Sequence, residues 1–330
     1  MTVTGLWHDA AAVRRAGPGL AHTRRRRRGR RSSSGLLLGA AGIAAFSFSL
    51  PATRVAVRDL DPWLVSFGRA AVAALLAAVV LLAVRAPRPT AAQVRSLLVV
   101  ALGVAVAFPL GTALAMQDAD AAHGAVVIAV LPAATAVMAV LRAGERPSGW
   151  FWAASGAGVA VTVVFALSRS GGGGLAVADV QLMAGTLLCA LGYAEGAVLA
   201  RELGGARTIC WALVLAAPLT LTVSAASLVT APPAGAAATA WLGLAYVSVF
   251  SMFLGFFAWY AGLARGGVAK VGQVQLAQPL LTLGWSALVL GEHVGPEALL
   301  TALAVVACVV VTQRARVAAP TRAQQAPAAG

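Results

Sequence analysis

From Gly35 to Gln313 the chain is a series of apolar runs, each about 20 residues long, separated by short connectors that hold most of the charges and helix breakers. The runs fall near 35–57, 62–84, 95–116, 122–142, 148–168, 178–200, 208–230, 238–262, 268–290 and 296–313. A run of this length matches the hydrocarbon thickness that one α-helix crosses. Inside lipid a helix satisfies its own backbone polar groups, which an isolated strand cannot do. Composition agrees: 60% of residues are hydrophobic and 11% charged, against about 25% charged in a soluble domain. The sequence reads as an all-α integral membrane protein with ten transmembrane helices.

The basic residues give this layout a direction. Cytoplasmic loops of membrane proteins collect Lys and Arg. With the Arg-rich start placed inside, 21 of the 25 Lys and Arg fall on cytoplasmic segments and 3 (Arg54, Arg58, Arg169) on outer ones, while Arg69 lies within a span. Removing one span would scramble the alternation downstream. Both termini are therefore expected in the cytoplasm. Trp63, Trp150, Trp211 and Trp241 open four of the runs, where amphipathic rings favour the headgroup level. Heavy use of Ala, Gly and Arg suggests a GC-rich bacterial source, hence a bacterial cytoplasmic membrane. The run Arg24 to Arg31 reads as a topological anchor, with lipid headgroup binding or a cleaved signal as alternatives. Residues 1–34 and 314–330 are expected to be disordered cytoplasmic tails.

The chain also repeats itself at a shift of 147 residues. Pro132 falls on Pro279, Gly144-Glu145 on Gly291-Glu292, Arg54 on Arg201 and Phe46 on Tyr193. The Pro-to-Glu interval is 13 in both copies. Each unit, 35–168 and 178–313, holds five spans, and 169–177 is a Gly-rich linker. An odd number of spans makes the second unit enter the membrane from the opposite side, an inverted repeat. Pro109, Pro132, Pro218 and Pro279 lie inside spans, where proline removes a backbone bond and kinks the helix.

A proline followed 13 residues later by Gly-Glu, twice, over a five-plus-five layout, resembles the EamA family of the drug/metabolite transporter (DMT) superfamily. The resemblance spans about residues 35–313, and Gln278-Pro279-Leu280 to Gly291-Glu292 is its most specific part. Arg69 falls where that family often has a basic residue early in the second helix. Ala70 stands where an aromatic often follows, and the first helix lacks the tryptophan often seen there. The resemblance implies secondary transport, often export of amino acids or other metabolites, with no ATP-binding domain.

Candidate working residues follow from membrane chemistry. Glu195 is the one carboxylate well inside a span, and such a group marks a functional site by default. It is a candidate for a substrate ammonium or a coupling proton. Arg69 is a candidate for a substrate carboxylate. The two sit at different depths and are not expected to pair. Gln275, Gln278, Thr282, Trp285 and Ser286 share one face of the ninth helix and suit a cavity wall, with Tyr193 and Trp259-Tyr260 as further walls. Glu145 and Glu292 are expected to cap helices five and ten. Gly192-xxx-Gly196 and Gly262-xxx-Gly266 suit close helix contact.

No metal-ligand spacing, Walker-type loop or nucleophile with a membrane His occurs, and Cys189, Cys210 and Cys308 read as free thiols. No cofactor and no nucleic-acid partner are expected. The expected partners are the bilayer and a small-molecule substrate, with a homodimer as a candidate assembly. An uncoupled facilitator or exchanger, a membrane-embedded enzyme, and a structural or sensor role are the competing readings.

Overall fold

The computed structural model describes residues 21–143, 148–169, 176–266 and 272–317. Among these residues the secondary structure is helical, with no strands. Eight helices are long and apolar enough to cross a bilayer: α1 Ser34–Ala56, α2 Pro62–Ala83, α3 Ala91–Asp118, α4 Ala121–Arg142, α5 Gly149–Ser168, α6 Val177–Leu203, α7 Gly205–Thr230 and α8 Ala238–Gly262. Two shorter apolar helices follow, α9 Val274–Leu290 and α10 Pro296–Thr312. The helix that becomes α1 begins at Ala21 and so includes the arginine run. Residues 267–271, where the ninth run was expected to start, lie outside the described residues, as does Glu145.

Local chemistry sets the helix ends. Asp61 Oδ1 accepts from the backbone N–H of Trp63 and Leu64 at 3.0 and 3.1 Å, and Pro62 fills the first helical position, where a missing N–H is harmless. Thr90 and Gln93 form a capping box at α3. Gly291 ends α9 in the left-handed region at φ 67°, a conformation that favours glycine.

Five helices are interrupted along their length. In α1 the helix breaks at Phe48, because Pro51 has no N–H to give the Ser47 carbonyl. Thr282 of α9 supplies the missing donor: its hydroxyl reaches Ser47 O at 2.8 Å. In α4 two turn residues, Ala129 and Val130, separate Ala121–Ile128 from Leu131–Ala143, and Pro132 deprives Ile128 O of its helical donor. The segment leading into α9 is a 3-10 turn over Gly272–Ala277, and Pro279 likewise deprives Gln275 O. Finally, α3 and α8 each contain a π-helical stretch, Ala101–Ala107 and Tyr246–Gly255, a widening often found at functional sites.

The helices pack as α1 with α8, α3 with α6, α2 with α7, α5 with α10, α4 with α6 and α1 with α9. Lipid is as apolar as a leucine side chain, so close backbone approach replaces the hydrophobic effect as the driving force. Glycines provide it. A Cβ on Gly103 would lie 2.2 Å from Leu188 O across the α3–α6 crossing, and one on Gly262 2.6 Å from Gly39 N across α1–α8. Gly192 likewise packs on Gly103, as its spacing suggested. Opposite this packing, Leu75, Val79 and Leu82 are 56%, 64% and 78% exposed at helical spacing on α2 and form a lipid-facing stripe.

Polar contacts sort by membrane end. The connectors expected outside touch one another: Arg54 pairs with Asp120 at 3.7 Å, Asp59 accepts from Ala237 N, and Glu292 accepts from Ala121 N and Ala122 N. At the other end Gln93 donates to Glu202, and Arg142 pairs with Glu195.

Candidate functional site

The interruptions converge on one cavity in the middle of the bundle. It holds about 790 Å³ of empty space, counting the part open to solvent, and is lined by residues of α1, α2, α3, α4, α6, α8 and α9. Its wall contains Pro132, Pro279 and the residues whose carbonyls they leave without a helical donor, Ile128 and Gln275. The π-helical stretches contribute Val104 from α3 and Ser251 and Met252 from α8.

Arg69 dominates the electrostatics. It is 3% exposed, and its Nη2 donates to Ser251 Oγ at 3.1 Å. Ser251 Oγ in turn shares a 2.7 Å hydrogen bond with Ser49 Oγ, just past the break in α1. Arg69 Nε is buried with no hydrogen-bond partner, and so is the hydroxyl of Thr53, one turn beyond Ser49 on the same wall. Among the described residues lining the cavity there is no Asp or Glu. An unpaired buried charge is costly unless a ligand or solvent answers it.

The sequence candidates divide. Arg69, Tyr193, Gln275, Gln278, Pro132 and Pro279 all line this cavity, and Thr282 joins them. Glu195, Trp259 and Trp285 do not. Glu195 is 5% exposed but faces Arg142, an exposed residue at the end of α4. It therefore neither lines the cavity nor turns towards Arg201. As expected, it does not pair with Arg69. Trp259 packs backbone and Cβ against Gly42 in the α1–α8 seam. Trp285 donates from Nε1 to Ser47 Oγ at 3.0 Å, beside the bond that Thr282 makes to the same residue. The helical face expected of α9 thus divides along its length: Gln275, Gln278 and Thr282 line the cavity, while Trp285, farther along, braces the break in α1.

Glu292 corrects a second expectation. It lies ahead of α10, which begins at Pro296, and caps another helix. Its two carboxylate oxygens accept from Ala121 N at 3.0 Å and Ala122 N at 2.8 Å, the exposed N–H groups that open α4. The Gly-Glu of the second unit therefore fastens onto the first.

Three features escaped sequence reasoning. Pro51 was not counted among the interrupting prolines, because it lies close to a predicted helix end. Arg54 donates to Met116 O and to Gln117 O, the latter at 2.8 Å, and closes the end of α3. His123 lies 2.5 Å from Asp179, and both are buried or nearly so. The only sequence signal for these pairs was a polar residue at the edge of a span.

Comparison with known proteins now decides the class. The EamA-like transporter family matches the chain twice, over residues 33–167 and 177–313. The chain belongs to the EamA-like transporter family. That family is part of the DMT superfamily. The chain is also 46% identical, over 286 residues, to a Bacillus subtilis (strain 168) protein named uncharacterized transporter YdeK, with 86% of this chain and 98% of that one covered. A solved crystal structure of a 21% identical protein shares the fold, with a TM-score of 0.58 over 86% of this chain and 98% of its own. As a family member with long apolar helices, this is a multi-pass membrane transporter.

Proposed function

We propose that this protein is a secondary transporter that exports a small metabolite from a bacterial cell by alternating access of two inverted five-helix repeats around the central cavity. One observation carries the reading. Ten of the 22 cavity-lining residues form five pairs exactly one repeat apart, at a separation of 147: Phe46 and Tyr193, Val104 and Ser251, Ile128 and Gln275, Leu131 and Gln278, Pro132 and Pro279. Two related halves contribute the same positions to one site, as expected where each half serves in turn as the gate.

Helix pairing supports the same symmetry. Exchanging each helix with the one five places on turns the α1–α8 contact into α6–α3 and the α4–α6 contact into α9–α1, and all four occur. Thr135 and Thr282, also one repeat apart, each hold their hydroxyl 2.9 Å from the carbonyl four residues earlier, and Thr282 shares its one proton between that carbonyl and Ser47 O. The sorting of polar contacts towards two ends of the bundle supports ten crossings, and the distribution of arginines supports cytoplasmic termini.

Arg69, Tyr193, Gln275 and Gln278 are the substrate contacts in this account. Glu195 and Arg142 join α6 to α4 near the cytoplasmic end. Neutralising Glu195 would loosen that join, which makes it the residue assigned to gradient coupling. The test is counterflow of a labelled metabolite panel by purified protein in liposomes, with and without a pH gradient. Substrate-specific exchange is expected, with its pH dependence flattened by Glu195→Gln. Absence of exchange for every compound would defeat the transport reading.

A further inference from the structure

We infer that the substrate is an organic monoanion with an apolar body and no ammonium group. This rests on the reading of the central cavity as the transport site and specifies the chemistry of that site. It departs from an amino acid, which carries both charges.

The charge balance of the wall is the first ground. Among the described residues lining the cavity Arg69 is the one that is charged, it is 3% exposed, and one of its guanidinium nitrogens has no partner. A guanidinium is charged at any working pH and presents its donors in a fork that matches a carboxylate. The Ser251 and Ser49 hydroxyls lie in one chain with Arg69, and the unpartnered Thr53 hydroxyl lies on the same wall. Together these donors suit an anionic head. A substrate ammonium would find only neutral acceptors here, such as the Ile128 and Gln275 carbonyls, because Glu195, the intramembrane carboxylate candidate, is engaged by Arg142 away from this cavity. A cationic group would also share the site with Arg69, and like charges in a low-dielectric cavity repel strongly.

The second ground is the division of the walls. In four of the five repeat-related pairs the first-half member is apolar and the second-half member polar: Phe46 against Tyr193, Val104 against Ser251, Ile128 against Gln275, Leu131 against Gln278. Leu50 and Phe108 add apolar surface from the first half, and Met252 and Phe256 add it from the second. Hydrogen-bonding groups thus come from both halves, Arg69, Ser49 and Thr53 from the first and Ser251, Gln275 and Gln278 from the second, beside apolar lining from both. A ligand with a polar end and an apolar body matches this mixed lining, whereas a fully polar metabolite would leave its apolar part unmatched.

Two sets of labelled probes separate the possibilities. 3-Phenylpropionate, phenylalanine and phenethylamine share one body and are anion, zwitterion and cation; isocaproate, leucine and isopentylamine do the same for a branched aliphatic body. Equilibrium binding to the full chain in lipid nanodiscs avoids passive leak of the neutral acids. At least one anion is expected to bind about tenfold or more tightly than its zwitterionic and cationic partners, the scale of one lost charged hydrogen bond. Arg69→Gln should abolish that preference and Arg69→Lys retain part of it, with both variants checked for monodispersity and melting temperature. If a zwitterion or cation binds as well as the anion, or if neither anion binds, the inference is overturned. Exchange of phenylalanine or phenethylamine in liposomes would then leave the transport reading standing while the charge assignment falls.

Discussion

Replacing Arg69 with methionine should make the ligand-free protein more stable and useless for binding. The side chain is 3% exposed, and its charge has no acidic partner among the residues around the cavity. Desolvating one ion costs several kcal/mol even after the protein relaxes. Against that stands one charged hydrogen bond, the 3.1 Å contact to Ser251, worth about 1.5–3 kcal/mol. Ser251 keeps its 2.7 Å partner Ser49 when Arg69 is removed, so no hydroxyl is orphaned. Methionine fills irregular space with little strain. The net expectation is a gain of about 1–3 kcal/mol, within the range seen when buried ions give way to apolar residues. The assay is thermal unfolding in detergent, followed by the fluorescence of the eight tryptophans. The variant should melt higher than the native protein without ligand. Saturating 3-phenylpropionate should raise the native protein alone, since a ligand stabilises only what it binds. A variant that melts well below the native protein would show that Arg69 is a structural tie and that the charge is already balanced.

Other substitutions test the supporting parts. Arg142→Ala strands the buried Glu195 carboxylate and should cost more stability than the pair Arg142→Gln with Glu195→Gln, which a double-mutant cycle on melting temperature will read. Glu292→Ala removes two acceptors from the start of α4 and should cost about 0.5–2 kcal/mol, while Glu292→Gln should recover part of the loss. Gly103→Ala drives a methyl into Leu188 O, 2.2 Å away, and should destabilise by about 1–3 kcal/mol, with unfolding as the check. Thr282→Val leaves Ser47 O without the donor that replaces Pro51, and should cost about 1 kcal/mol and loosen the α1 break, visible as faster amide exchange around Phe48.

Much of the fold was legible because membrane chemistry writes it in long strokes. Span length, the alternation of arginines and the 147-residue register all survive without side-chain detail. They pointed to a multi-pass membrane protein with an internal repeat, and the resemblance carried by the two Pro-to-Gly-Glu segments implied a transporter. Within the site, residues marked by backbone chemistry were found: Pro132 and Pro279 interrupt helices wherever they point, and both reach the cavity. Arg69 was found because a charge within a span needs a reason. What failed depended on rotation about a helix axis or on contact between distant segments. Glu195 was rightly singled out as costly, yet its answer is Arg142, 53 residues earlier in the chain. Trp285 follows Gln278 and Thr282 in one regular helix but lies farther along it, where α9 meets the break in α1 and not the cavity. Glu292 was assigned to the nearest helix in sequence, whereas it caps α4, which is nearest in space.

The most direct test of the central claim is sidedness of access to the cavity. Ile128→Cys and Gln275→Cys, placed one repeat apart on its wall, can each be introduced into a protein whose three native cysteines have been replaced. A membrane-impermeant maleimide is then applied from the inner or the outer face of sealed vesicles of known orientation. Two halves that gate in turn should let both positions react from both faces. Reaction of both positions from one and the same face only, with no access from the other under any gradient, would contradict the account.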